Sequence, residues 1–357
     1  MVRERHVSGA ARNRAAGLIV PLAALLLGIA SSSVAAESKN GIAAVEAIGI
    51  TVRDMDAARD FYTRVLPFEV VAEDEISGTE FERLFGVFGL RAEVLRLRLG
   101  EEFIELIDFI APEGRPIPAG SRSNDEWFQH IAIIVSDMDA AYAHLREHDV
   151  THASPAPQRL PDWNENAGGI EAFYFRDPDG NHLELLEFPP DKGDPRWHAP
   201  TAALFLGIDH TAIVVRDTEE ALRFYRDGLG LSVMGASENY GIEQERLNNV
   251  FGARLRITAL GSPEGPAIEF LEYLAPPTGR PMPVDTQAND LWHWHIRMRS
   301  PSLDGLSAQL MEHGGTLVSP GVIALPDDAE FPSAVHVRGP TGHAVLIHEA
   351  ARAATQE

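Results

Sequence analysis

The chain has no cysteine among its 357 residues, which excludes disulfides, thiolate nucleophiles and cysteine metal ligands from any mechanism. Positive charge is also scarce. Thirty lysines and arginines face 53 acidic residues, a formal charge of −23, and a nucleic acid or an anionic membrane would need a basic footprint as partner. Neither is expected. A bilayer-spanning apolar run is missing too: the stretch from Leu18 to Ala30 is short and is broken by Pro21 and Gly28. It follows Arg3, Arg5, Arg12 and Arg14 and precedes SSSVAA, where Val34 and Ala36 suit a signal-peptidase site. Residues 1–36 therefore read as a secretory leader, with a retained N-terminal anchor as the competing reading. With no cysteine to follow, it is not a lipoprotein leader. Its removal leaves 26 basic against 52 acidic side chains, and the expected destination is secreted or periplasmic, without membrane contact.

The apolar share of 45% and the charged share of 23% are those of an ordinary globular protein, and the length allows two domains. What is present is written twice. NDEWFQH at Asn124 to His130 returns as NDLWHWH at Asn289 to His295, and IELIDFIAPEGRPIP at Ile104 returns as IEFLEYLAPPTGRPMP at Ile268. A repeat this long predicts two domains of one fold. They are placed at 45–188 and 207–350, joined by a linker at 189–206 rich in Pro, Gly and charge. Tails at 37–44 and 351–357 flank them.

Each copy is itself double. The strand beginning at Val45 ends at Asp54, and the helix that follows should bury Ala57, Ala58, Phe61, Tyr62 and Val65 on one face. The same grammar of strand, aspartate turn and helix recurs at His130 with Asp137, at Gly207 with Asp217 and at His295. Four strand-helix-strand-strand-strand modules are predicted. Polar excursions at Asp74 to Glu82 and Ser237 to Glu245, the latter with Tyr240, should rim a binding site.

The segments HIAIIVSD, DPDGNHLEL and HTAIVVRD carry a family likeness. From Val45 to Glu349 the chain resembles the vicinal oxygen chelate superfamily, which includes glyoxalase I, methylmalonyl-CoA epimerase, extradiol ring-cleaving dioxygenases and the fosfomycin and bleomycin resistance proteins. The resemblance implies an α+β fold of two tandem domains, each with two paired βαβββ modules forming a cupped mixed sheet. It also implies metal ligands on the first and last strands of each module. In the first half those slots hold Ala47, Glu105, His130 and Glu184, and in the second His210, Glu269, His295 and Leu346. Each half keeps three of four, so the implied ligands are His210, Glu269, His295, Glu105, His130 and Glu184.

Tyr174 stands ten residues before Glu184 across the DPDG turn, which puts both on one hairpin face and resembles the tyrosine that extradiol dioxygenases hold beside their metal. His336 takes the matching place opposite Leu346, as a fourth ligand or a general base. The implied cofactor is a divalent metal ion, with zinc, manganese, nickel and iron(II) all open. The implied partner is a small molecule with two neighbouring oxygens. A glyoxalase- or epimerase-like lyase or isomerase is the first reading, a non-haem iron(II) ring-cleaving dioxygenase the second, and a non-catalytic small-molecule-binding protein the third. Whether modules pair within one chain or between chains, as in a homodimer, stays open here.

Other conspicuous residues have plainer readings. Trp127 and Trp292 are expected to pack, and Asn124-Asp125 and Asn289-Asp290 to cap turns. His144, His148 and His313 should face outward on helices. His293 shares a strand face with His295, either beside the site or at a solvated strand end, and His182 could share the face of Glu184.

Overall fold

The computed structural model describes residues 41–350; the predicted leader, most of the N-terminal tail and the C-terminal tail lie outside the described residues. The first module comprises β1 (Ala44–Val52), α1 (Met55–Asp60), β2 (Glu69–Ser77), α2 (Thr79–Phe85), β3 (Arg91–Leu99) and β4 (Glu102–Ala111). The second has β5 (Gln129–Val135), α3 (Met138–Glu147), the short β6 (Thr151–His152) and β7 (Gln158–Arg159), then β8 (Glu171–Arg176) and β9 (His182–Glu187). In the third are β10 (Phe205–Val214), α4 (Thr218–Leu222), β11 (Ser232–Tyr240), α5 (Ile242–Asn248), β12 (Arg254–Gly261) and β13 (Ala267–Ala275). The fourth contains β14 (Trp294–Ser300), α6 (Leu306–Glu312), β15 (Thr316–Leu317), β16 (Ile323–Ala324), β17 (Ser333–Arg338) and β18 (Ala344–Glu349).

Local chemistry starts three of the helices. Asp54, Asp137 and Asp217 are extended residues whose carboxylates accept from the backbone N–H of Ala57, Ala140 and Glu220, satisfying donors a helix start leaves free. The buried face of α1 differs from the expected one. Met55, Ala58 and Tyr62, spaced three and four apart, are buried whereas Ala57 is exposed, and the helix then widens into a π turn at Phe61–Val65. The polar excursions are likewise ordered strand-and-helix corners, β2 with α2 and β11 with α5. Nor is the linker wholly peripheral: Trp197 is buried, and Arg196 reaches Glu102 at 2.6 Å. The tail, too, is already ordered from Ile42, whose N–H donates to the Leu229 carbonyl.

The α+β class and the cupped sheets are as the resemblance implies; the partnership of modules is not. One sheet runs β15-β17-β18-β14-β1-β4-β3-β2 and the other β11-β12-β13-β10-β5-β9-β8-β6. The first and fourth modules thus build one cup, the terminal cup, along an antiparallel β1–β14 seam. The second and third build the middle cup along β5–β10. Neither repeat closes a cup by itself, and both cups close within one chain. The ligand sets expected for each half are redistributed accordingly.

A reciprocal latch holds this crossing. The Arg280 guanidinium and backbone N–H both donate to Asp125, with Nη2 to Oδ2 at 2.7 Å, and Arg115 does the same to Asp290, also at 2.7 Å. Arg280 also stacks on Trp127 and Arg115 on Trp292, at 4.6 and 4.8 Å from the ring centres. Gly114 and Gly279 let the backbones meet, since a β-carbon at either would overlap the Asn289 or Asn124 carbonyl. The turn-capping expectation for Asp125 and Asp290 is met through the Arg122 and Gln287 N–H groups. Their larger role is to bind the other half.

One continuous core takes residues from all four modules, among them Ile48, Tyr62, Ile131, Phe173, Phe270 and Ile296. The concave faces differ. In the terminal cup Leu84, Phe85, Ile107, Phe109 and Leu346 pack together, whereas the middle cup keeps a cavity of about 660 Å³.

Candidate active site in the middle cup

Strand register gathers the site. Ala212 lies opposite both His130 and Glu269, and Ala132 opposite both His210 and Glu184. Side chains on one face of neighbouring strands stand next to each other, so two imidazoles and two carboxylates converge on the β5–β10 seam. His130 Nε2 is 3.0 Å from Glu184 Oε2, and His210 Nε2 is 3.7 Å from the same oxygen and 3.4 Å from Glu269 Oε2. Behind His210, its Nδ1 is 2.9 Å from Asp209 Oδ2, and Asp209 accepts in turn from the Trp197 indole at 3.1 Å. That fixes the ring with Nε2 toward the carboxylates.

The electrostatics call for a positive charge at the centre. Burial lowers the pKa of His130, against the pull of Glu184. At His210 burial also pulls downward, yet Glu269, Asp209 and Glu184 outweigh it and hold the imidazole up to about 9. Burial raises the Glu269 carboxyl, with His210 opposing. A proton on His210 partly neutralises the cluster; a cation among the same donors would do so more completely. The donor set of two nitrogens and two carboxylates, with ligand atoms of His130, Glu184 and His210 within 4.8 Å of one another, fits a borderline divalent metal. Glu269 keeps 25% of its side chain accessible and lines the cavity, so the cluster opens toward a ligand.

Tyr174 pairs with Glu184 across the β8–β9 hairpin, and its ring centre is 5.0 Å from that of His130. Burial, then Glu184, pushes its phenol well above the usual range, so the hydroxyl stays a proton donor. The cavity is further lined from β11 by Ser237 and Asn239, from α5 by Gln244, and from the loop before β8 by Asn166. Asn164 donates to Asn239 at 2.7 Å, and Trp163 lies on Tyr240 at 4.4 Å, tying that loop to the rim. His182 is buried beside Phe128, at 4.8 Å between ring centres.

The remaining expected ligands lie in the terminal cup and never meet this site. Glu105 is an ion-pair partner of the buried Arg297, which also holds Glu330 at 2.6 Å. Arg297 faces Ala47 across the seam where the middle cup has Ala132 facing His210, so a guanidinium takes the space of a metal. Leu346 is packing. His295 and His336 are together, but with His293 rather than with His210 and Glu269. Burial of His293 answers the open question of a solvated strand end. His144 and His313 are half-buried rather than outward, each facing a backbone carbonyl, of Val65 and Gln309; His148 is exposed.

Asp209, Gln244 and Arg297 were not singled out from the sequence. Arg297 had a readable signal: HIRM against HIAI puts a charge on a central strand where the repeat has alanine. Asp209 had only its adjacency to His210.

Two cupped mixed sheets from four βαβββ modules, one enclosing a polar cavity over paired imidazoles and carboxylates, define a tandem cupped-sheet protein. The family model described as Glyoxalase/Bleomycin resistance protein/Dioxygenase superfamily matches residues 44–185 and 207–347. The chain belongs to that superfamily. Among curated proteins it is 31% identical over 154 residues to 2-epi-5-epi-valiolone epimerase of Actinomyces sp, covering 42% of this chain and 81% of the relative. It is 30% identical over 151 residues to the uncharacterized protein YaeR of Escherichia coli K12, covering 41% and 98%. Its fold is shared with glyoxalase I from Zea mays, at TM-score 0.56 and 13% identity over 87% of this chain and 92% of that one. A putative dioxygenase from Bacillus subtilis follows at TM-score 0.53 and 14%, over 87% and 86%.

Proposed function

We propose that the middle cup is the active site of a divalent-metal-dependent epimerase or lyase acting on a small molecule with two neighbouring oxygens. The carrying observation is the convergence of His130, Glu184, His210 and Glu269, drawn from both repeats onto one cavity. When bound there, a divalent cation would supply a Lewis acid for the substrate oxygens. Glu269, open to the cavity and raised by burial, is placed to take and return a proton at the neighbouring carbon. Asp209 keeps His210 oriented, and the Tyr174 hydroxyl donates toward bound oxygen. The epimerase name of the Actinomyces relative supports the isomerase side of this reading.

Tyr174 beside His130 favours a second reading, a ring-cleaving dioxygenase, although two carboxylates suit it less than one. Solvent exchange separates the two. In D2O the enzyme is expected to exchange the C–H next to the carbonyl of a 2-hydroxy ketone without consuming oxygen. Oxygen uptake with a catechol, abolished in Tyr174→Phe, would transfer the assignment to the dioxygenase. Small-molecule binding with neither exchange nor uptake would leave a binding protein.

The chain is further proposed to be exported, on the strength of its leader-like start. N-terminal sequencing of the mature protein should begin at Glu37, and an intact Met1 in a membrane fraction would mean a retained anchor.

A further inference from the structure

The two cups carry the same aromatic triangle, filled differently. In the middle cup it is Phe128, His130 and Tyr174, with ring centres 5.0 to 5.9 Å apart. At the matching places of the terminal cup stand His293, His295 and His336, with centres 5.4 to 6.3 Å apart. Packing needs only flat rings, as Phe128 and Tyr174 demonstrate. Two imidazoles in their place add nitrogen donors to a buried interior, where His293 Nε2 makes no hydrogen bond and the His336 ring has no well-aligned partner beyond the Leu84 backbone. Such groups are normally satisfied when buried. The Leu84 carbonyl lies beside His336, and Phe85 closes the cluster edge-on to His295 and His336.

We propose that His293, His295 and His336 form a second cation site, for a borderline divalent metal such as zinc, cobalt, nickel or copper. One nitrogen from each ring lies within 4.8 Å of the others, a spacing that modest ring rotation contracts around an ion about 2.0–2.1 Å from each nitrogen. An all-imidazole set selects against magnesium and calcium. Arg297 stands nearby, but Glu105 and Glu330 offset its charge. Of the family's slots in this cup the set keeps only His295; Ala47, Glu105 and Leu346 take no part in it.

The test uses the full chain with the middle cup disabled by His210→Gln and Glu269→Gln, produced in cobalt-supplemented medium and purified without chelators. One equivalent of cobalt with imidazole-type d–d absorption is expected, falling below a tenth of an equivalent when His336→Phe or His293→Phe is added. Each phenylalanine restores the ring packing of the other cup, and circular dichroism checks the fold. No cobalt in the disabled protein, or cobalt unaffected by both phenylalanine variants, overturns the proposal. Because the middle cup is already silent, either result leaves its own assignment untouched.

Discussion

Exchanging His210 for glutamine is expected to strip the middle cup of the metal proposed there and to lower the proposed turnover by more than the roughly 10–100-fold that loss of an outer partner costs a metal site. Loss of His210 removes the imidazole that lies between Glu184 and Glu269, at 3.7 and 3.4 Å, and leaves the two carboxylates with less positive charge to oppose them. Asp209→Asn is the graded version. It keeps the shape but weakens the acceptor that orients His210 Nδ1, so a loss within that 10–100-fold range is expected, in metal affinity as in turnover. Glu105→Gln is the contrast, since Glu105 belongs to Arg297 in the other cup; middle-cup metal should be unchanged. Elemental analysis beside kcat for the three variants checks the set. Equal loss from Glu105→Gln and His210→Gln would contradict the assignment of the site to one cup.

Arg280→Ala is expected to lower the unfolding free energy by about 1–3 kcal/mol, the usual cost of a buried polar group losing its partner. Asp125 retains 2% of its side-chain surface, whereas the Arg280 side chain is 43% exposed. Full burial of both charges would cost more, about 3–5 kcal/mol; water screens the arginine and lowers the figure. The two backbone N–H groups of Arg122 and Arg280 would still serve the carboxylate. Arg115→Ala should behave alike through Asp290, and the double variant should weaken the attachment of one repeat to the other. Denaturant unfolding measures both. If the midpoint of the double variant equals that of the native chain, the latch is ornamental and the crossing is held by the shared core alone.

Four modules and three aspartate-capped helices were legible in the letters, because strand alternation and repeat spacing are local properties; the His130, Glu184, His210 and Glu269 positions followed from the slots that the family resemblance implies. Tyr174 could be set opposite Glu184 for a local reason as well: a hairpin turn fixes register across ten residues. The emptied slots at Ala47 and Leu346 were visible as departures from the repeat. Their meaning was not, since that needs the neighbours Arg297 and Phe85, which arrive from a distant strand and a distant helix.

The sequence by itself determined the modules, the acidic cysteine-free composition and which strand positions carry imidazole or carboxylate. Only the tertiary structure decided which modules share a cup. The motifs GRP and ND-x-W occur in both halves, so Arg115 could satisfy Asp125 or Asp290 with the same chemistry, and no local preference separates the pairings. Packing of the whole chain breaks that degeneracy. It turns two incomplete ligand sets into one with two histidines and two glutamates, leaving the other cup to a buried arginine and three histidines.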